Sequence, residues 1–399
     1  MPDSPKPPEG QSKPGDLAPS PEGIPRRDFK GILERAVSEG VTPGAVLLAG
    51  SLTEPGRVLT LSVGNLGRTR ERVPTTLDAL YDLASLTKVA STTALCLRAL
   101  SMGPPPGYSG AGPFGLDSKL SSHFPDSPPD LSGISLRDLL SHQSGLPAWK
   151  PLYLNPPDIP YPERAKAVRL SILRERPLFK PGEGTLYSDL GFMLLGFILE
   201  QAFQESLPSL YRALLQEPLG LGPSCFSPRL CTVRPKTLPD IAPTEDGLRV
   251  GGPLDSKEAR VLGAVPLGEC HDDNARYLLG AAGHAGLFSS VSDLYATMRL
   301  FSSALAGESP LITQDLMREF LAPKKANNGS SRPLGFDILP LRKGSLRGHL
   351  GYTGATLWWS TDLDRVLILL ANRVHPSSRE QRMPKLRAAL VECAFPELT

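Results

Sequence analysis

Ser85 and Lys88 stand three residues apart in Asp82-Leu83-Ala84-Ser85-Leu86-Thr87-Lys88. On a helix that spacing puts both side chains on one face. A serine hydroxyl is a poor nucleophile until a neighbour takes its proton. A lysine amine in a poorly solvated cleft can lose its charge and become that neighbour. A helix N-terminus beside them favours a developing oxyanion. Together these parts would perform acyl transfer. Spacing alone is weak support: about one such match arises by chance in a chain this long, and its commoner meaning is a capping serine with a solvated lysine.

Other residues bear on the same chemistry. Tyr187 lies in Pro181-Gly182-Glu183-Gly184-Thr185-Leu186-Tyr187-Ser188-Asp189-Leu190-Gly191, and His349 in Gly348-His349-Leu350-Gly351-Tyr352-Thr353-Gly354. Alone, these read as a helix-edge tyrosine and a half-buried strand histidine. Tyr153-Leu154-Asn155 has a form similar to Tyr187-Ser188-Asp189, without the Pro-Gly lead-in or the apolar helix that follows Tyr187. His271, Asp272 and Asp273 are metal-ligand types, yet adjacent residues rarely converge on one ion, so no metal or cofactor is expected. Gly110–Gly115 fits G-x-G-x-x-G, but it contains a proline and no strand precedes it, which argues against a dinucleotide site. Gly107–Ala111 misses the G-x-S-x-G elbow in its last position.

The elements that must position these residues follow from patterning. Residues 1–25 are proline-rich and nearly free of large apolar side chains, and are expected to be a disordered tail. A helix is expected over Arg27–Glu39. Strands are expected over Ala45–Ser51 and Arg57–Gly64, joined by a turn at Thr53–Gly56. A helix is expected over Leu86–Leu100, then a Pro/Gly loop over Gly103–Gly115. Helices and long loops fill Ser135–Phe301, including an apolar helix around Leu190–Leu199. Thr356–Trp359 and Val366–Ala371 form an expected hairpin whose second strand is unbrokenly apolar, as in a buried sheet. A last helix is expected over Ser377–Cys393. The fold class is therefore α/β plus all-α: an antiparallel sheet flanked by helices, with an inserted helical region. The sheet region takes residues 26–102 and 290–399, the helical region 103–289, and a cleft between them would hold the site.

Taken in order, these motifs resemble the class C β-lactamases and the related penicillin-binding proteins and esterases. The Tyr81–Lys88 phrase resembles that family's nucleophile segment. Leu139-Leu140-Ser141-His142-Gln143-Ser144-Gly145-Leu146-Pro147 is similar to its LLxHxSGLP signature, and the segments around Tyr187 and His349 to its later motifs. The resemblance implies a transpeptidase-like fold and a Ser85 acyl-enzyme. Lys88 would be the partner of Ser85 and Tyr187 the second proton handler. His349, Gly351 and Tyr352 would line the cleft, with the N–H groups of Ser85 and Tyr352 as oxyanion hole. His271–Ala275 and Gly283–Phe288 resemble segments of a subgroup and are expected to form cleft wall.

Two departures from the pattern matter. Asp189 stands where many members carry asparagine. It could hold Lys88 charged and shift base duty toward Tyr187. His349 stands where β-lactamases carry lysine, which removes a fixed cation for an antibiotic's carboxylate. Both favour an esterase-like or D-peptidase-like hydrolase over a β-lactamase. A non-catalytic scaffold is the alternative from another class.

Composition agrees with this reading. The chain has 399 residues, 40% of them hydrophobic, and a formal net charge of +2 without a dense basic block. Neither nucleic acid nor a membrane surface is an expected partner, and no apolar run reaches the ~20 residues of a membrane span. The expected partner is a small ester, amide or peptide substrate. Five cysteines without zinc-like spacing, and a start lacking a secretory apolar region, set the expectation of a cytoplasmic location. Oligomeric state is left open.

Overall fold

A computed structural model describes residues 28–68, 72–105, 108, 114–154, 159–247, 249–251 and 260–399. The expected disordered tail and most of the Gly103–Gly115 loop, with its G-x-G-x-x-G, lie outside the described residues.

The first helix, Phe29–Ser38, starts where Asp28 accepts the N–H of Gly31 at 2.8 Å, an N-cap. It buries Phe29, Leu33 and Ala36, spaced along one face. A six-stranded antiparallel sheet follows. Its order is Asp337–Leu341, Gly344–Leu350, Thr356–Ser360, Arg365–Ala371, Gly44–Gly50 and Val58–Gly64. The two chain ends meet at its centre, where Ala45 pairs with Ala371 and Gly50 with Val366.

Both faces of the central strands are covered, which explains their unbroken apolar character. Leu47, Leu367 and Leu369 pack with Phe29 and Leu33 of the first helix and with Leu386 and Leu390 of the last. Val46, Leu48, Ile368 and Leu370 face the other way, into the main core shared with the helical part. The period of two along each strand separates these layers. The deepest helix, Asp189–Phe203, is apolar almost all round and buried accordingly. Ser188 caps it, accepting the N–H of Gly191 at 3.2 Å.

Three elements differ from the sequence reading. The helix expected over Leu86–Leu100 is composite: a tight turn at Ala84–Leu86, a wide π-type turn at Lys88–Thr93, and regular helix over Ala94–Met102. The last helix spans Met383–Ala394 and begins six residues later than expected. Its first turn holds Pro384, while upstream Ser378 turns its N–H and hydroxyl to Glu245. Among the inserted helices, a second small sheet joins Tyr81–Asp82, Leu287–Ser289 and Cys225–Phe226. Among the described residues, no helix is long and apolar enough to cross a membrane.

Candidate active site

Tyr81–Asp82 delivers the chain to Ser85 through a strained turn. Ala84 has φ +46°, a left-handed conformation that costs a non-glycine residue about 1–3 kcal/mol. Buried Asp82 holds the turn, accepting the N–H of Ala84 at 2.9 Å and of His271 at 2.7 Å. Its backbone carbonyl accepts the Thr353 hydroxyl at 2.6 Å. The nucleophile turn is thereby tied to the end of the Gly344–Leu350 strand.

Gly351, just past that strand, is required by this contact. A Cβ there would stand 2.4 Å from the carbonyl oxygen of Leu83. Gly351→Ala is expected to cost about 1–3 kcal/mol of stability and to lower kcat, by pushing the strand end off the Ser85 turn. Thermal unfolding and esterase turnover check both; an alanine variant with unchanged kcat would contradict the contact.

Lys88 is fully buried yet placed among acceptors. Its Nζ donates to Ser85 Oγ at 3.1 Å and to the carbonyl of His284 at 3.2 Å. It lies 2.7 Å from Asp189 Oδ1, an ion pair by distance though not aligned as a hydrogen bond. Burial pushes the ammonium toward losing its proton, but the Asp189 carboxylate and Tyr187 outweigh it, so the pKa stands above the usual lysine value. Lys88 is a charged centre at rest.

Tyr187 lies under this ammonium, with Nζ 4.8 Å from the ring centroid. Burial raises its phenol above the usual value, against the neighbouring Lys88. The ring is fixed by His142, whose centroid is 4.6 Å away. His142 Nδ1 accepts the N–H of Ser188 at 2.9 Å, and its carbonyl accepts the N–H of Leu186. Thus the His142 motif locks the Tyr187 motif in place. Burial keeps the His142 ring neutral. Tyr153, in the segment of similar form, sits on the turn Leu152–Leu154, its N–H bound to Asn274 Oδ1.

His349 is 4% exposed, with its ring 5.6 Å from that of Tyr187. Its Nδ1–H donates to its neighbour's carbonyl, that of Leu350, at 2.8 Å, and Nε2 is buried without a hydrogen-bond partner. Burial lowers its pKa to about 3, helped by the fields of Lys88 and Arg332. It is therefore a neutral ring and cannot stand in for a lysine. Tyr352 is 54% exposed at the rim, between the His271 ring at 5.4 Å and the Arg373 guanidinium at 4.5 Å.

Sequence reading missed Arg332. Its guanidinium carbon lies 5.4 Å from the Tyr187 ring centroid, and its side chain is 13% exposed. Nη2 is 3.4 Å from Asp337 Oδ1, but neither Nε nor Nη2 makes a hydrogen bond among the described residues. The short strand Ser331–Arg332 carries no periodic pattern that could have announced it. Glu245 was missed as well. It accepts from His271 Nε2 at 2.8 Å and from Ser378, which together hold its carboxyl down at about 2 against the opposing effect of burial. Among the described residues no group of His, Cys, Asp and Glu stands together as a metal cage.

The sequence profile of the β-lactamase family matches residues 29–392. The chain belongs to the β-lactamase family. It is 29% identical over 342 residues to an Escherichia coli O157:H7 protein named "Putative D-alanyl-D-alanine carboxypeptidase", covering 79% of this chain and 74% of that one. It is 27% identical over 371 residues to the N-acetylmuramyl-L-alanine amidase of Bacillus subtilis strain 168, covering 86% and 80%. Its fold matches that of the D-amino acid amidase of Ochrobactrum anthropi SV3, with a TM-score of 0.64, 21% identity, and coverage of 93% and 98%. This β-lactamase-family chain is a serine hydrolase of the esterase and peptidase type, with the transpeptidase-like fold its motifs imply.

Proposed function

We propose that the chain is a D-peptidase-like hydrolase that cleaves an amide next to a free carboxylate, through an acyl-enzyme on Ser85. The observation that carries this reading is Arg332: a nearly buried cation beside Tyr187, with two donors that find no hydrogen-bond acceptor. Unsatisfied buried donors are costly, and a planar guanidinium suits a carboxylate. Arg332 supplies the charge that neutral His349 lacks. The carboxypeptidase-named relative is consistent with such a substrate.

In this mechanism Ser85 Oγ attacks the carbonyl carbon, and the N–H groups of Ser85 and Tyr352 receive the oxyanion. The Ser85 proton passes to Lys88 as Lys88 yields one of its own to the Asp189 carboxylate. Lys88 stays an ammonium throughout, and the negative charge moves from the Asp189 carboxylate to the oxyanion, where the two N–H groups receive it. The phenol of Tyr187, kept protonated by burial, gives its proton to the departing amine as the C–N bond breaks. The proton held on Asp189 returns through Lys88 to Tyr187. Water then attacks the acyl carbon, its proton passing along the same path to Asp189; as the ester bond to Ser85 breaks, that proton returns through Lys88 to Ser85 Oγ and restores the free enzyme. Asp189, placed against Lys88, is thus a proton store, and base duty stays with the Lys88–Asp189 pair.

The test compares one D-amino-acid dipeptide as free carboxylate and as carboxamide, in wild type and Arg332→Gln. The expected loss is about 10²-fold in kcat/KM on the carboxylate, with the carboxamide within about threefold. An equal loss on both would overturn the reading, as would a wild-type preference for nitrocefin over either dipeptide.

A further inference from the structure

The segment Gly283–Leu287 touches the nucleophile helix at three places. The carbonyl of His284 accepts from Lys88 Nζ at 3.2 Å, that of Gly283 accepts from Thr92 Oγ1 at 2.6 Å, and the N–H of Leu287 donates to Thr87 Oγ1 at 3.2 Å. Its other side presses on the apolar helix, where a Cβ at Gly283 would stand 2.0 Å from the carbonyl oxygen of Phe192. The segment has no room to shift on either side.

The His284 side chain, 1% exposed, meets Asp272, Nε2 to Oδ1 at 2.9 Å. The same Asp272 oxygen accepts the N–H of Ala275 at 2.8 Å, capping the short helix Asp273–Tyr277. Burial pushes the Asp272 carboxyl up, but the His284 ring, the Ala275 N–H and Lys88 hold it below the usual range, so it is ionised. Lys88 therefore has one carboxylate in contact and a second behind the residue that holds it.

We infer that Asp272 and His284 are positioning residues for Lys88: the pair fixes the carbonyl on which Nζ rests and adds a negative field that keeps the ammonium charged. The inference rests on the Ser85–Lys88 mechanism above. It assigns a specific task to two residues whose sequence reading was cleft wall.

The groups facing Lys88 make the direction of the effect clear. Asp189 faces it from the apolar helix and Tyr187 from the segment before that helix. Arg332 and the neutral rings of His142 and His349 lie around Tyr187. Removing the Asp272 charge leaves Asp189 as the carboxylate in contact with Lys88, while Arg332 on the far side keeps its own partner, Asp337, at 3.4 Å. Lys88 should then lose its proton at lower pH.

The experiment is the pH profile of kcat/KM for wild type, Asp272→Asn, Asp272→Ser and His284→Gln. Asparagine and serine both cap helices well, so these variants remove the charge and keep the cap. The basic limb is expected to move down by about half a pH unit or more in both Asp272 variants. With it kcat should fall about tenfold, at nearly constant KM. In His284→Gln the side-chain amide keeps a donor for Asp272, so the limb should stay near its wild-type position while kcat falls. A limb unmoved in the folded Asp272 variants would overturn the inference, and so would an equal move in His284→Gln. Fluorophosphonate labelling separates the two levels: failure of wild-type Ser85 to label would overturn the acyl-enzyme reading itself.

Discussion

Alanine at position 85 is expected to lower kcat/KM on p-nitrophenyl butyrate by about 10⁴- to 10⁶-fold, the loss typical when an acylated serine is removed. The magnitude follows from the site. Ser85 Oγ accepts from Lys88 Nζ at 3.1 Å and sits on a turn held by Asp82 and Thr353, while the neighbouring Tyr187 phenol is kept protonated by burial. The substitution deletes one oxygen at a partly exposed position, and stability should barely change. Intact-mass measurement should find an acyl or fluorophosphonate adduct on the wild type and none on the variant. Turnover within about tenfold of wild type would place the nucleophile elsewhere.

The second large effect is expected at Lys88. Methionine fills a similar volume without the charge. Activity should fall at least about 10³-fold, because the Ser85 proton loses its acceptor. Stability should fall too. Asp189, 17% exposed, loses its counter-ion, and breaking a buried pair by removing one partner costs about 3–5 kcal/mol. The double variant Lys88→Met/Asp189→Asn separates the two consequences. It should recover most of the denaturation midpoint and none of the turnover. If the midpoint of the single variant equals that of wild type, the ion pair does not carry the charge assigned to it. Recovery of turnover in the double variant would remove Lys88 from the proton path.

Much of this architecture could be read in the chain. The strands at both ends were legible because burial on two faces leaves unbroken apolar runs such as Val366–Leu370, which polar alternation would have interrupted. The pairing of Lys88 with Asp189 was legible as charge chemistry: an aspartate where relatives carry an amide has one obvious cation nearby. The structure brings together Ser85, Lys88, Tyr187, Asp189 and His349, while Gly351 and Tyr352 follow at the strand end.

The illegible features depend on distant partners. Ala84 adopts a left-handed φ that alanine does not favour; Asp82 imposes it, and no local pattern announces that. Residues 377–382 could have begun the last helix, but Ser378 is drawn to Glu245 instead. Here tertiary hydrogen bonds override local propensity. Arg332 acquires its meaning only beside Tyr187, far earlier in the chain. The Asp272–His284 pair looked like wall because its link to Lys88 runs through a backbone carbonyl, a group every residue possesses.

The bond from Thr353 to Asp82 spans 271 positions, and the central sheet joins Ala45 to Ala371. A ribosome that releases this chain from its N-terminus must wait for the last strands before the nucleophile turn can be clamped. Such long-range closure slows folding and leaves early segments exposed. During synthesis, the hairpin Gly44–Gly64 would present an open edge where Arg365–Ala371 later pairs. Nascent chains cut short before that strand should be both inactive and prone to edge-to-edge association, so the enzyme gains its reactivity only once Arg365–Ala371 has been made and paired.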